Sequence, residues 1–342
     1  AVVTAARLYY HGARGSLAVD RLTHTALAKT YSANSVVTDS AAGGSALATG
    51  HKVDNSVISM SSGAALPTLA EMAKASGKSV GLVTTTRITH ATPAAFYGHV
   101  LDRGSEDDLA RQLTASNFDL FLGGGLKYFD ADAVIREGKF KLLRTRSELA
   151  RAVESHAKKT SSKPLLGLFN SGHMSYELNR SSSSEEPTLA EMTGAAIKVL
   201  SRNPKGFFLM VEGGCIDHAE HDNRAAEALE EMHAFDVALA TALGRVALRE
   251  TLVIVTADHE TGGLSINGYP AHDETILKHP FLTFASGPGN RAVPPLALLG
   301  DESARHTGVD VPVYAEGAGA EAVHGVMENT QLFHIMVDNL SR

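Results

Sequence analysis

The sequence predicts an α/β fold, with a mostly parallel central sheet flanked by helices on both faces. Three observations predict it. Short β-rich runs alternate with helical stretches along nearly all of the 342 residues, the pattern that builds crossover units and parallel sheets. Hydrophobic residues make up 44% and charged residues 20% of the chain, ordinary values for a globular protein with a sizeable core. The chemically capable clusters also follow apolar runs directly, and open α/β sheets bind their ligands outside the carboxyl ends of strands.

The expected strands are 35–39, 79–85, 118–122, 207–212, 251–257 and 282–285, and the expected helices 66–75, 107–115, 187–201, 218–247 and 329–340. The hexapeptide at 67–72 recurs at 187–192. It reads as two capping boxes, Thr68 with Glu71 and Thr188 with Glu191, each starting a helix rather than a repeat. Residues 181–186 form a polar, serine-rich connection, and 263–305, with its Gly and Pro pairs, a loop-rich insertion at the rim of the site with one strand inside it. No sharp boundary divides residues 1–342, which read as one α/β domain.

A net charge of -7 argues against a nucleic-acid-binding surface but not against a small anionic substrate. No apolar run is long enough for a membrane span. One cysteine, Cys215, excludes an intrachain disulfide framework, and it reads as a small buried side chain rather than a ligand.

Taken in order, the first chemical segment is SVVTDSAAGGSALATG at 35–50. A strand ending at Asp39 would set Ser40 at the start of a short helix, where free N–H groups and the helix dipole favour an anion. Read alone, the segment describes a tightly packed structural helix equally well. In TTTRITHATPAAFYGHVLDRG at 84–104, Thr92 and His90 occupy a polar turn after a strand and could support a magnesium shell. Arg103, at the end of the short helix that Pro93 begins, could grip two phosphate oxygens with its planar fork.

In MVEGGCIDHAEH at 210–221, Glu212 ends a strand, and a Gly-Gly turn leads to Asp217 and His221 on one helical face, one turn apart. That pair suits zinc, and the strand-end carboxylate suits a harder ion such as magnesium. TLVIVTADHETGG at 251–263 delivers Asp258 and His259 together; both can point at one ion only if the strand has already ended. His306, in the triplet HTG, would join Asp217 and His221 in a three-ligand zinc site with one open position. The remaining histidines, His173 among them, read as surface or satisfied core residues.

These motifs, with GGGLKYF at 123–129, stand together in one order that strongly resembles the alkaline phosphatase family, from Val2 to the carboxyl end. The resemblance implies the family's three-layer fold and hydrolysis of phosphate monoesters through a phosphoserine. Ser40 is then the nucleophile and Arg103 the phosphate clamp. Asp217, His221 and His306 would hold one Zn2+, Asp258 and His259 a second that also contacts Ser40, and Glu212 with Thr92 one Mg2+. His90 and His218 would modulate the magnesium site and could shift its metal preference. A homodimer and a periplasmic or secreted location are implied as well.

Two departures from the family pattern stand out. Family members carry a first strand ending in Gly-Asp-Gly, whose aspartate bridges the second zinc and the magnesium. Ala1–Gly12 resembles the segment after that turn, so the expectation is an amino-terminally truncated member lacking its first strand, and an isolated chain of weak activity. Gly44-Ser45 replaces a commoner Ala-Thr pair, with little consequence expected. Two rival readings are a phosphodiesterase or sulfatase of the same superfamily, and a non-catalytic metal- or phosphate-binding fragment.

Overall fold

A computed structural model describes residues 1–158, 162–267, 281–285 and 304–340. Helix α1 (Val2–His11) and strand β1 (His24–Lys29) precede α2 (Ser40–Thr49). A hairpin of β2 (Met60–Ser61) and β3 (Ala64–Ala65) leads into α3 (Leu69–Ala75), β4 (Ser79–Arg87), α4 (Ala91–Ala94), α5 (Glu106–Ala115) and β5 (Leu120–Gly124). Then come α6 (Ala131–Glu137), β6 (Lys141–Leu143), α7 (Arg146–Ala157), β7 (Leu165–Leu168) and α8 (Leu189–Leu200). They are followed by β8 (Phe207–Glu212), α9 (Cys215–His221), α10 (Ala225–Leu243) and β9 (Leu252–Val255). Short strands β10 (Glu260–Thr261), β11 (Ser265–Asn267), β12 (Phe281–Thr283) and β13 (His306–Thr307) precede β14 (Val311–Gly317), β15 (Gly325–Glu328) and α11 (Asn329–Leu340).

Five strands form an all-parallel sheet in the order β6-β7-β5-β4-β8. The period-2 alternation of strand side chains splits its core between two faces. Val80, Leu82 and Phe121 pack against Ala70 and Ala73 of α3 and Leu109 of α5. Val83, Leu120 and Leu122 point the other way, onto Leu149 of α7 and Leu189 and Met192 of α8. The helix-flanked parallel sheet expected from the alternation is therefore present.

A second sheet, β15-β1-β14-β9, is mixed: β1 runs parallel to β15 and antiparallel to β14, which runs antiparallel to β9. The two sheets end on β8 and β9, which both deliver their carboxyl ends to the same site. Among the described residues neither has a partner on its outer edge. A cavity of about 360 Å3 lies between them, lined by Phe208, Met210, Ile254 and Val255 and reached by Ala1, Val2 and Val3 of the first helix. Its presence explains an oddity of burial. Every residue of β8 and β9 is only half-buried, whereas β5 and β7 are buried throughout.

Two expected elements differ. Residues 35–39 are not a strand, because side chains take their backbone groups: the Asn55 amide donates to the Val37 carbonyl at 3.0 Å and accepts from the Asp39 N–H at 3.1 Å. The helix expected at 218–247 is two helices, broken where Asn223 adopts a left-handed φ of 54°. Both capping boxes form, on Thr68 and Thr188, and start α3 and α8. Within the 263–305 segment the described residues are 263–267, 281–285, 304 and 305, and β11 and β12 pair antiparallel.

Candidate active site

The α2 helix is built to present Ser40. Asp39 caps it, accepting the Ala42 N–H at 3.0 Å, and Gly50 closes it in the left-handed conformation at φ 72°. The run of small residues has a steric reason. A Cβ on Gly43 would stand 2.9 Å from the Asp258 carbonyl oxygen, so only glycine lets the helix abut the segment after β9. A Cβ on Gly44 would meet Ala95 and Thr92 at 3.3 and 3.4 Å, tight enough that the commoner alanine would need a small shift there.

Strand β9 ends at Val255, and the bend after it lets neighbouring side chains converge: His259 Nε2 is 3.3 Å from Asp258 Oδ2 and 2.9 Å from Ser40 Oγ. Ser40 is only 5% exposed. Asp258 Oδ2 is buried with no hydrogen-bond partner, an expense that a bound cation would relieve.

Asp217, His221 and His306 meet beside this pair. Asp217 Oδ1 lies 3.4 Å from His221 Nε2 and 3.6 Å from His306 Nε2, and the two ring nitrogens are 3.0 Å apart. Each imidazole is oriented by a carbonyl at Nδ1, that of Ala304 for His221 at 2.6 Å and that of Thr38 for His306 at 2.9 Å. Both Nε2 lone pairs then face inward. A tetrahedral zinc with ligands at about 2.0–2.1 Å places donor atoms about 3.3 Å apart, so the three atoms match such a shell. Burial opposes ionisation of Asp217, but His306, His259 and His221 around it outweigh it and hold the carboxyl well below its usual range. The His259 ring stacks on His306 at 3.5 Å between centroids, which puts the two clusters side by side.

Glu212, at the end of β8, accepts from the hydroxyls of Thr84 and Thr86 and of Thr92. Burial, partly offset by the threonines and reinforced by Asp258, pushes its carboxyl up to about 7. The Gly-Gly turn is sterically required here as well, since a Cβ on Gly214 would overlap Thr86 at 2.3 Å. Cys215 is buried against Thr85, its thiol donating to that carbonyl at 3.4 Å.

Arg103 is not at a helix end, because α4 stops at Ala94; it sits in the turn before α5. Its guanidinium is braced by Asp39 Oδ2 at 3.1 Å and His90 Nε2 at 3.2 Å, which fixes the plane of the fork beside Ser40. Asp39 therefore serves two elements, a second role that its cap position did not disclose. Asp39→Ala should cost about 1 kcal/mol of stability through the lost cap and weaken inorganic phosphate binding about tenfold through the unbraced arginine. Melting curves and calorimetric titration check the two effects, and Asp39→Asn should keep the cap and lose the brace.

His173, expected as a surface or satisfied core histidine, accepts from the Arg87 N–H at 3.3 Å at Nδ1 and lies beside the site. Its ring packs 4.2 Å from His218 and 5.3 Å from His90. Burial, helped by His218 and Arg87, lowers it to about 3, so it is neutral. The signal that reveals it is GGGLKYF: the Gly125 N–H donates to the carbonyls of Asn170 and Gly172, docking the loop that carries His173 against the site. His272 and His279 lie outside the described residues.

Comparison with known proteins gives the family. The family model described as alkaline phosphatase matches residues 1–283 and 290–341. The chain belongs to the alkaline phosphatase family. Among curated relatives, the tissue-nonspecific alkaline phosphatase isozyme of Felis catus is 33% identical, over 98% of this chain and 80% of its own length. Alkaline phosphatase of Gadus morhua is 31% identical, over 98% of this chain and 87% of its own. Among solved structures, the alkaline phosphatase of the Antarctic bacterium TAB5 superposes with a TM-score of 0.81 at 30% identity, over 99% of this chain and 94% of that one. A mutant of that enzyme is described with Mg bound in its M3 site. The Thermus thermophilus enzyme gives 0.82 at 28% identity, over 99% of this chain and 88% of that one. As a member of this alkaline phosphatase family the chain is a phosphatase. Among the described residues no helix is long and apolar enough to cross a membrane.

Proposed function

We propose that this chain hydrolyses phosphate monoesters through a phosphoserine at Ser40, with two zinc ions and one magnesium. The observation that carries the reading is the meeting of Ser40 Oγ, at 2.9 Å, with a histidine that also lies 3.3 Å from an unpartnered buried carboxylate oxygen. Asp217, His221 and His306 hold one zinc, Asp258 and His259 the second, and Glu212 with Thr92 the magnesium. Bound there, the cations supply Lewis acidity that favours the serine alkoxide and neutralises phosphoryl charge.

The chain's own groups do the rest. Ser40 Oγ attacks phosphorus as the bond to the leaving oxygen breaks, and water then cleaves the phosphoserine to release phosphate. His259 Nε2, 2.9 Å from Ser40 Oγ, would hold the second zinc next to that oxygen. Arg103, its plane set by Asp39 and His90, and the N–H groups at the start of α2 stabilise the equatorial oxygens. Because these contacts grip the phosphoryl group and not the alcohol, the site accepts monoesters broadly.

The cavity between β8 and β9 supports a further part of the reading. It separates two strand edges, unpaired among the described residues, whose carboxyl ends lead to Glu212 and Asp258, the position that a strand ending in an aspartate would fill. A carboxylate delivered there would stand between the strand ends that carry Glu212 and Asp258.

A further inference from the structure

We propose that Thr261 is a positioning residue that sets the tautomer of His259 and ties the two metal-ligand clusters together. The inference rests on the proposed metal-dependent reading of the site. Thr261 is 2% exposed and stands directly across the β10–β13 ladder from His306. Its hydroxyl oxygen is 2.5 Å from Asp217 Oδ1 and 3.2 Å from His259 Nδ1. A hydroxyl has one proton to donate. The hydroxyl donates to Asp217 Oδ1, so the threonine oxygen must accept from His259.

That ordering requires the proton of the neutral His259 ring to sit on Nδ1. The Nε2 lone pair is then directed at Ser40 Oγ, 2.9 Å away, whose hydroxyl can donate to it. Histidine ligands commonly have the other ring nitrogen held by a carboxylate or carbonyl. Here no such acceptor is bonded directly to Nδ1, and a threonine hydroxyl relays the Asp217 carboxylate to it instead. One side chain thereby couples a ligand of the first cluster, Asp217, to a ligand of the second, His259. The arrangement also accounts for the burial of a polar side chain in the short β10 strand, since both of its hydrogen bonds are spent on the site.

The test compares Thr261→Val, which keeps the shape and deletes the hydroxyl, with Thr261→Ser, which keeps the hydroxyl. In the metal-free native chain, nitrogen-15 spectra of the histidine rings should show His259 protonated at Nδ1. In Thr261→Val the proton should shift toward Nε2, and the second zinc should bind about 10–100-fold more weakly; Thr261→Ser should restore both. A native His259 protonated at Nε2 overturns the proposal, as does a valine variant with native tautomer and zinc affinity. The tautomer is read without metal or turnover, so its outcome stands apart from that of the phosphatase reading. If Thr261→Val does not fold, the native spectrum and the serine variant still decide the matter.

Discussion

Ser40→Ala should reduce phosphomonoester turnover by about 10^3-fold or more, toward the residual rate that ions and binding groups give without a nucleophile. The expected size follows from position. Ser40 is the hydroxyl at the capped start of α2, with Gly43 pressed against the Asp258 backbone so that the helix cannot move away. Removing one oxygen leaves the cap, the helix and the metal ligands in place. Zinc content and melting temperature should therefore stay within error of the native chain while turnover falls. A loss of zinc or stability together with activity would mean that Ser40 is structural, and full retention of activity would remove it from the chemistry.

The second large effect is on stability and has a definite sign with pH. Glu212 is raised from 4.5 to about 7 in the folded, metal-free chain. Between those values the unfolded chain has released this proton and the folded chain still holds it. Stability must then fall as pH rises from about 4.5 to about 7, with the full cost present above that window, on the order of 3 kcal/mol. Two other buried carboxyls, Glu220 at about 8 and Glu231 at about 7, slope the same way, so the informative quantity is a difference. Glu212→Gln should flatten part of the decline, and millimolar Mg2+ should restore stability at pH 8 in the native chain but not in the variant. Denaturant midpoints across the pH range measure both, and a magnesium effect of equal size in the two proteins would take Glu212 out of the site.

Why these groups were visible in the sequence is itself physical. Glu212, Asp217, His221, Asp258 and His259 follow β8 and β9 directly, and runs such as FFLMVE and TLVIV leave little choice of structure. The same logic misled at 35–39, where Val36 and Val37 suggested a strand but Asn55 and Ser35 claim the backbone groups. Strands β1 and β14 escaped notice for a related reason. HTALAK has little β-branched content, and Pro312 interrupts β14, whereas propensity rules favour β-branched runs without proline.

Residues that act through other residues were the least legible. Asp39 is recognisable as a cap, but its grip on Arg103 joins positions 64 apart in sequence. Thr261 bonds Asp217 across 44 residues, and nothing in TADHETGG distinguishes that threonine from a turn residue. His173 lies in a loop whose placement depends on Gly124, where a Cβ would collide with the Gly172 carbonyl at 2.1 Å. Local pattern identifies the groups that end strands. It does not identify what braces them.

The central claim is that Ser40 accepts the phosphoryl group between the two ligand clusters. It is tested most directly by incubating the zinc-loaded chain with p-nitrophenyl phosphate at acid pH, where hydrolysis of a phosphoserine is slow, then quenching and mapping peptides by mass. The account predicts one phosphoryl group on the peptide containing Ser40, and none on that peptide when zinc has been removed by a chelator. Turnover with an unmodified Ser40 peptide, or a phosphoryl group on another residue, would contradict it.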